Sequence, residues 1–442
     1  MSKPPLQTAA TLIMAAGLAM PLAAHAQDTT LTIATVNNVQ MIEMQKLSPV
    51  FEKSHPGIHL NWVVLEENVL RQRVTTDIGT HGGQFDIVTI GNYEVPIWAK
   101  QNWLLPFENL PSSFDVDDIL KPVRQGLSYK GKLYALPFYA ESVMTLYRTD
   151  LFKAAGLTMP AKPTYTEIRQ FADKVTDKSK GIYGICLRGK PGWGENIAYF
   201  STLVTAFGGQ WFDKSWKPTI DTAAWKQALT YYTDILKTDG PPGATSNGFN
   251  ENLTLFSSGH CGMWIDATSA AGTVYDKNQS KVADSVGFAA LPTGTFEGGP
   301  TWLWSWNLGI PVSTKHADAA RQFITWATSK EYIQLVAKTD GWVNIPPGTR
   351  ASSFAVDDYK KAAPFSSFVE DAINHSNPDG QTKNFRPYNG AQFVGIPQFQ
   401  AIGTQVGQIV AATLAGSSTV DQSLKSAQST ANRTIRQAGY QK

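Results

Sequence analysis

One stretch of the chain, residues 131–152, contains two extended apolar runs with a strand-breaking proline and a lone carboxylate at their junction. The runs cover residues 133–138 and 143–147; Pro137 lies near the end of the first, and Glu141 lies between the two. Proline cannot donate to a β-ladder, so it marks a sheet edge or a crossing point. We therefore expect this stretch to leave one lobe, pass through a hinge and enter a second lobe, with Glu141 in the cleft between them.

Strand and helix patterns alternate ahead of this hinge. Extended apolar runs at residues 31–36, 59–65 and 85–91 are separated by segments with helical spacing of apolar residues. This order predicts an α/β fold with a parallel sheet, and such sheets bind ligands beyond the carboxyl ends of their strands. The prediction places these polar and aromatic residues at one rim: Asn37, Asn38, Asn92, Tyr93 and Glu94.

Two strands predicted beyond the hinge, residues 181–187 and 261–266, end beside further polar and aromatic residues. Extended runs at residues 286–291 and 302–311 then return the chain to the first lobe. The strand-end residues are candidates for the same cleft as Glu141: Trp193, Glu195, Asn196, Trp264 and Asp266. The alternative role of Asp266 is that of a helix N-cap.

Tryptophans alternate in the second of the returning runs. Trp302, Trp304 and Trp306 would share one face of a strand, about 6.6 Å apart. Flat aromatic rings can pack against the C–H faces of a polyhydroxylated ligand. Carboxylates, amides and the several N–H donors of an arginine can form hydrogen bonds with its hydroxyls. We take Trp302 and Trp304 as candidate contacts and leave Trp306 open between cleft and core. Arg386 is the candidate fork, with a structural ion pair as its alternative role.

Composition and motifs narrow the class of function. A net charge of +2 argues against nucleic acid and a membrane surface as partners. The sequence contains no Gly-x-Gly-x-x-Gly, and Pro56 and Gly57 prevent His55 and His59 from sharing a helix face that could bind a metal. We expect a monomer that is not an enzyme and uses no cofactor or metal; the rival from another class is a glycosidase with Glu141 and Asp266 as acid and base.

Residues 1–26 have the pattern of a cleavable signal peptide, with Lys3, a short apolar run and an Ala-His-Ala site before residue 27. The apolar run is too short to span a bilayer, so we expect a soluble protein exported to the periplasm. Cys186 and Cys261 would then meet an oxidising compartment, where two thiols can pair. Two separate buried thiols are the alternative, and the sequence leaves both open.

Several of these segments resemble bacterial extracellular solute-binding proteins of the maltose-binding-protein type. The resemblance rests on Gly-Lys-Leu-Tyr-Ala-Leu-Pro at residues 131–137, Leu-Tyr-Arg-Thr-Asp-Leu-Phe at 146–152 and the Phe-x-x-Gly-x-x-x-Met-Trp order at 256–264, and it covers nearly the whole mature chain. It implies a two-lobed fold that hands a solute to an inner-membrane ABC permease. It also implies that Glu141, four residues after the hinge proline, and Trp264 contact the solute.

The resemblance extends to the choice of ligand and to the lobes. Residues 341–350 and 388–397 resemble the sorbitol/mannitol-binding branch, which implies a linear sugar alcohol such as mannitol, sorbitol or arabitol. An oligosaccharide or a glycerol phosphodiester is the alternative. We expect mainly parallel sheets flanked by helices, divided into a signal peptide (1–26), an N-terminal lobe (27–138 and 289–340) and a C-terminal lobe (139–288 and 341–442).

Overall fold

The computed structural model describes Met1 and residues 28–441, which form two main β-sheets, a short β-ribbon and surrounding helices. The strands are Thr29–Val36 (β1), Ile58–Leu65 (β2), Ile87–Gly91 (β3), Ser128–Tyr129 (β4), Lys132–Leu133 (β5), Ala135–Glu141 (β6), Val143–Arg148 (β7), Met263–Ala267 (β8), Val286–Ala289 (β9) and Trp304–Gly309 (β10). The α-helices are Val39–Ser54 (α1), Glu67–Thr80 (α2), Glu94–Lys100 (α3), Lys121–Gly126 (α4), Thr149–Ala154 (α5), Tyr165–Val175 (α6), Asn196–Ala206 (α7), Ala223–Asp239 (α8), Phe249–Ser257 (α9), Ala271–Tyr275 (α10), Ala317–Ala327 (α11), Lys330–Asp340 (α12), Ala351–Ala355 (α13), Asp357–Ala362 (α14), Ser366–Asn374 (α15), Phe399–Leu414 (α16) and Val420–Gln437 (α17).

The first sheet has five strands in the order β2-β1-β3-β10-β6. β1 is parallel to β2 and β3, whereas β10 is antiparallel to β3 and β6. All residues of β3 are buried, as expected for a continuous apolar strand that is covered on both faces. Because β1 and β3 are parallel neighbours, the residues that follow them, among them Asn38 and Tyr93, lie at one edge of the sheet.

The chain crosses from the first sheet to the second at a single residue and returns through residues 290–303. β6 belongs to the first sheet and β7 to the second, and only Ser142 separates them. Pro137 lies in β6, which is an edge strand, opposite an irregularity in β10. Ser142 Oγ donates to the carbonyl of Trp302 at 2.9 Å, and its N–H donates to Thr268 Oγ1 at 3.1 Å. The first bond joins the two segments that cross between the sheets, and the second ties Ser142 to the residue that follows β8.

The second sheet differs from the predicted mainly parallel arrangement. Its order is β8-β7-β9, and β7 is antiparallel to both neighbours. The chain enters along β7 from the hinge and returns toward the hinge along β9, so adjacent strands must run in opposite directions. The segment predicted as a strand over 181–187 makes isolated parallel bridges, Tyr183 to Cys261 and Cys186 to Trp264.

Cys186 and Cys261 form a disulfide, with their Cα atoms 5.8 Å apart. Both residues are fully buried. The bond joins the segment that leads to Arg188 with the turn that leads into β8, so it lies beneath the second-lobe side of the cleft.

Helix contacts suggest lobe boundaries that differ from the predicted ones. α16 and α17 pack on α7 and α8, but α15 packs on α4 and β6 of the first lobe. The N–H of Ala140 in β6 also donates to the carbonyl of Pro347 at 2.9 Å. We propose that residues 345–374 belong to the N-terminal lobe, because they cover its edge strand β6.

Two sequence predictions concern export. The predicted signal peptide, residues 1–26, lies outside the described residues apart from Met1. Across residues 28–441, no helix is long and apolar enough to cross a membrane.

Candidate functional site

A small cavity of about 30 Å³ lies between the two lobes. Its first-lobe wall stands at the edge where β1 and β6 end. The lining residues are Asn38, Glu67, Arg71, Tyr139, Glu141, Trp304 and Trp306 from the first lobe, Arg188, Trp193, Gly194, Ala198, Phe249 and Gln392 from the second, and Trp302 from the segment that crosses between them.

Arg71 projects from α2 and is held by two carboxylates of its own lobe. Its Nε and Nη2 donate to Glu67 Oε1 at 3.0 and 2.7 Å, and its Nη1 donates to Glu94 Oε1 at 3.0 Å. Glu67 and Arg71 are four residues apart on one helix, which lets their side chains meet. A guanidinium has five N–H groups, so two donors remain without a partner among the described residues.

Arg188 repeats this arrangement in the second lobe. Its Nε donates to the Asp266 oxygens at 3.1 and 2.9 Å, and its Nη2 donates to Asp266 Oδ1 at 2.6 Å. Its Nη1 donates to the carbonyl of Gly194 at 2.7 Å and lies 3.8 Å from Glu195 Oε2. Each lobe therefore presents one buried arginine that is held in place by carboxylates behind it.

Aromatic rings form much of the remaining wall. The Trp193 ring centroid lies 3.9 Å from the guanidinium carbon of Arg71, and those of Trp304 and Trp306 lie 5.0 and 4.7 Å from the same atom. Such contacts between a cation and a ring strengthen when water is excluded. All three alternating tryptophans line the cavity, including Trp306, which the sequence left open.

Glu141 ends β6 and is buried at the cavity wall. Ser269 Oγ donates to its Oε2. Burial raises the pKa of the Glu141 carboxyl to about 8, against the opposing effects of Ser269 and Arg188. Burial also raises the pKa of Glu195, and Glu67 adds to that increase. Near neutral pH Glu141 is therefore largely protonated, and a protonated carboxyl can both donate and accept a hydrogen bond.

This burial predicts that stability falls as pH rises through neutrality. A carboxyl whose pKa is higher in the folded state binds more protons there between about pH 4.5 and 8, so unfolding becomes easier across that window. We expect the urea midpoint of the wild type to be lower at about pH 8 than at about pH 5.5. Glu141→Gln, which stays neutral at every pH, should show a smaller decrease. Equal decreases in the two proteins would contradict this assignment.

Three buried polar atoms on the cavity wall have no hydrogen-bond partner within the described part of the chain. They are Nε1 of Trp193, Nε1 of Trp302 and Oε1 of Gln392. Buried polar groups are nearly always paired, so a molecule in this cavity would need both acceptors and donors to satisfy them. Hydroxyl groups supply both.

Five of the residues predicted for the cleft line this cavity, and the others take different places. The lining residues are Asn38, Glu141, Trp193, Trp302 and Trp304. Glu94, Glu195 and Asp266 lie behind the two arginines and orient them, because their oxygens face the guanidinium groups. Tyr93 packs against Trp193, and its hydroxyl donates to the carbonyl of Ile396 at 2.6 Å.

Three further predicted residues are engaged away from the cavity. Trp264 is fully buried against Phe249, and its Nε1 donates to Asp266 at 3.1 Å. Asn196 Nδ2 donates to the carbonyl of Gly407 at 2.8 Å. Arg386 donates to three backbone carbonyls, those of Gly380, Gly390 and Pro378, rather than to a carboxylate or the cavity.

Sequence reasoning missed several residues of the cavity wall. They are Glu67, Arg71, Tyr139, Arg188, Phe249 and Gln392. Three of them carried a usable signal. Glu67 and Arg71 have the spacing of a helical ion pair. Arg188 directly follows the predicted strand 181–187, at the strand end where ligand contacts are expected. Gln392 gave no such signal.

The lobes touch at the cavity mouth through residues 190–195 of the second lobe and the start of α2. Lys190 Nζ lies 2.7 Å from Glu66 Oε1, and Asn68 Nδ2 donates to the carbonyl of Pro191 at 3.2 Å. At Gly194 the approach is so close that a Cβ atom would stand 2.1 Å from Glu67 Oε1 and 2.9 Å from Arg71 Nη2. The structure is therefore a closed arrangement of the two lobes.

Both the sequence and the architecture have counterparts among known proteins. Residues 38–334 match the family of bacterial extracellular solute-binding proteins, and the chain belongs to that family. It is 54% identical over 430 residues to a mannitol-binding protein of Pseudomonas aeruginosa, covering 97% of this chain and 98% of that protein. These matches confirm the predicted family and its two-lobed periplasmic binding protein fold.

Two solved structures resemble this one closely. An ABC transporter solute-binding protein from Agrobacterium vitis S4, with bound D-mannitol, superposes with a TM-score of 0.92 at 58% identity, covering 94% of this chain and 100% of that one. One from Agrobacterium radiobacter K84, in complex with ribitol, gives a TM-score of 0.82 at 25% identity, covering 92% and 99%.

Proposed function

We propose that this protein captures a linear sugar alcohol, with mannitol the first candidate, in the interlobe cavity and delivers it to an ABC permease of the inner membrane. The observation that carries the proposal is the cavity wall, which combines flat aromatic faces with unpartnered donors and an unpartnered acceptor. The relatives that bind mannitol and ribitol support this ligand class. The protein acts in the periplasm as a monomer, without a cofactor and without a catalytic step.

Binding and closure are one equilibrium in this proposal. Arg71 and Glu141 lie on one lobe and Arg188 on the other, so a ligand touches both arginines only when the lobes are closed. A ligand shifts a conformational equilibrium by its difference in affinity for the two states. The closed form is then the one that docks on the permease.

The charges of the cavity argue against a phosphodiester ligand. Arg71 faces Glu67 and Glu94, and Arg188 faces Asp266 and Glu195. Each arginine is already matched by carboxylates, so a phosphate would enter without a free counter-charge. A buried anion that lacks a partner is strongly disfavoured.

The position of Asp266 argues against a glycosidase. Arg188 engages both of its oxygens, and Asp266 does not line the cavity. An acid–base pair with Glu141 would need both carboxyls to face the same bond.

Isothermal titration of the ligand-free mature protein tests the proposal. The panel is mannitol, sorbitol, arabitol, glucose, maltose and glycerol phosphate. We expect one-to-one binding of the polyols and a loss of that binding in Glu141→Ala. Binding of only maltose or glycerol phosphate would refute the polyol assignment.

A methyl group at Gly194, which itself lines the cavity, should weaken binding by obstructing closure of the lobes. A methyl group there would collide with Glu67 and Arg71 of the opposite lobe. If Gly194→Ala reduces the closed fraction, the apparent affinity falls by that fraction. We expect a loss of about tenfold or more, by the same factor for mannitol and sorbitol.

Gly79→Ala is the matched control for this experiment. Gly79 lies in α2, the helix that carries Glu67 and Arg71, and its Cβ would meet Trp103 at 3.7 Å, an ordinary contact. Its affinity should equal that of the wild type. Unchanged affinity in Gly194→Ala would show that closure does not need the observed approach.

A further inference from the structure

One loop, residues 388–397, is attached to both lobes, and we call it the strap. On the second-lobe side, the Tyr388 hydroxyl accepts a hydrogen bond from the N–H of Trp211 at 2.9 Å. On the first-lobe side, the Tyr93 hydroxyl donates to the carbonyl of Ile396 at 2.6 Å. The Phe393 ring also packs against Tyr93, with 5.2 Å between ring centroids. The strap therefore spans the cleft in the closed structure.

Two residues give the strap a defined conformation. Arg386 donates to the carbonyls of Gly380, Pro378 and Gly390 and so ties the loop together from behind. Gly390 has φ of +102°, and a Cβ there would stand 2.3 Å from the carbonyl oxygen of Phe393. Only glycine fits such a position. The strap is thus built to hold its middle residues in fixed places.

Gln392, in the middle of the strap, is 2% exposed and lines the cavity. Its Nε2 donates to the carbonyl of Leu303 at 3.3 Å. Because a carbonyl oxygen only accepts hydrogen bonds, the group that faces Leu303 must be the amide nitrogen of Gln392. The amide oxygen, Oε1, therefore points away from Leu303. Oε1 has no partner within the described residues. A buried acceptor without a donor lowers the stability of the folded protein. A bound molecule that donates a hydrogen bond to Oε1 would remove this cost.

We propose that Gln392 is a specificity-determining residue that accepts a hydrogen bond from one ligand hydroxyl, and that the strap makes this contact available only when the lobes are closed. The inference rests on the proposed function, since it concerns the polyol bound in that cavity. The segment 388–397, which resembles the sorbitol/mannitol-binding branch, contains Gln392, but the resemblance gave this residue no role. It is assigned by its burial, its fixed amide orientation and its unpartnered oxygen.

A ligand-deletion cycle tests this assignment. Mannitol has a two-fold axis, so a singly deoxygenated form could turn around and hide the missing group. The probes are therefore mannitol and its 1,6-, 2,5- and 3,4-dideoxy forms, titrated against wild type and Gln392→Met. Methionine keeps the length of the side chain but replaces the amide with a thioether, a much weaker acceptor. Gln392→Leu is the second variant, for use if the first does not fold.

We expect Gln392→Met to weaken mannitol binding by about 10-fold to 100-fold, the loss expected for an unpaired hydrogen bond. One dideoxy form should bind the wild type weakly yet lose little further affinity in the variant, because the same bond is already missing. If each dideoxy form loses as much affinity relative to mannitol in Gln392→Met as it does in the wild type, Gln392 does not accept a hydrogen bond from a ligand hydroxyl. A wild type that does not bind mannitol would instead overturn the proposed function.

Tyr93→Phe separates the strap from the acceptor. It removes the hydroxyl that holds Ile396 but leaves Gln392 intact. We expect it to weaken all four ligands by one common factor, with the wild-type order of dideoxy forms preserved. A changed order would contradict the separation of closure from hydroxyl recognition.

Discussion

Replacing Arg188 by leucine is expected to abolish polyol binding and to lower the free energy of unfolding by about 3 kcal/mol or more. Arg188 and Asp266 are both buried, and the pair is bonded through Nε and Nη2. Removing the arginine leaves Asp266 as a buried carboxylate without its counter-charge. It also removes the second-lobe guanidinium donors from the cavity. Urea denaturation and titration with mannitol measure the two effects.

A double variant distinguishes the structural from the binding role of Arg188. In Arg188→Leu/Asp266→Asn no charge remains at either position, and the single amide oxygen can accept from one of the two donors that now bond to different Asp266 oxygens, Trp264 Nε1 or the N–H of Ala267. We expect much of the lost stability to return, because replacing both members of a buried pair is far less costly than removing one. Binding should stay lost. A double variant that binds mannitol normally would show that Arg188 only neutralises Asp266.

An exposed ion pair in the same lobe provides the control. Lys226 and Asp421 are both more than half exposed and lie 2.7 Å apart. Surface pairs contribute about 0–1 kcal/mol, so Lys226→Ala should change stability little and mannitol affinity not at all. A loss as large as that of Arg188→Leu would mean that the assay reports general destabilisation.

The backbone of the cleft was predictable from the sequence because it depends on local pattern. The apolar runs around Pro137 and Glu141 specify strands, and proline is compatible only with an edge or crossing position. The alternation of Trp304 and Trp306 in β10 places them on one face of that strand, and Trp302, which precedes β10, lines the same cavity. Local rules of this kind therefore identified the hinge and one aromatic wall.

The polar half of the site was less predictable because hydrogen-bond partners are set by tertiary structure. Arg386 looked like a ligand fork, but three carbonyls of its own loop occupy it. Arg71 and Arg188 were not among the predicted site residues, yet buried carboxylates hold them at the cavity. Sequence shows that a side chain is a donor; it does not show which acceptor lies nearest in space.

Removing the disulfide is expected to lower the free energy of unfolding by about 4 kcal/mol. Cys186 and Cys261 are 75 residues apart in sequence, so the bond closes a long loop and restricts the unfolded chain. Both cysteines are fully buried, which makes alanine the best replacement for each. The measurement is urea denaturation of Cys186→Ala/Cys261→Ala beside the wild type, each with and without a reducing agent.

The reducing agent supplies the internal control. The wild type is unfolded in the reducing agent, so that the buried disulfide is reduced, and is then refolded. Its free energy of unfolding should fall toward that of the double variant, whose own free energy of unfolding should not change. Mannitol affinity of the folded double variant should stay within about threefold of the wild type, because the N–H of Cys186 donates to the carbonyl of Met263 at 2.9 Å whether or not the sulfurs are joined. That bond keeps Arg188 in register with Asp266. A large loss of affinity with little loss of stability would instead make the disulfide part of the binding site.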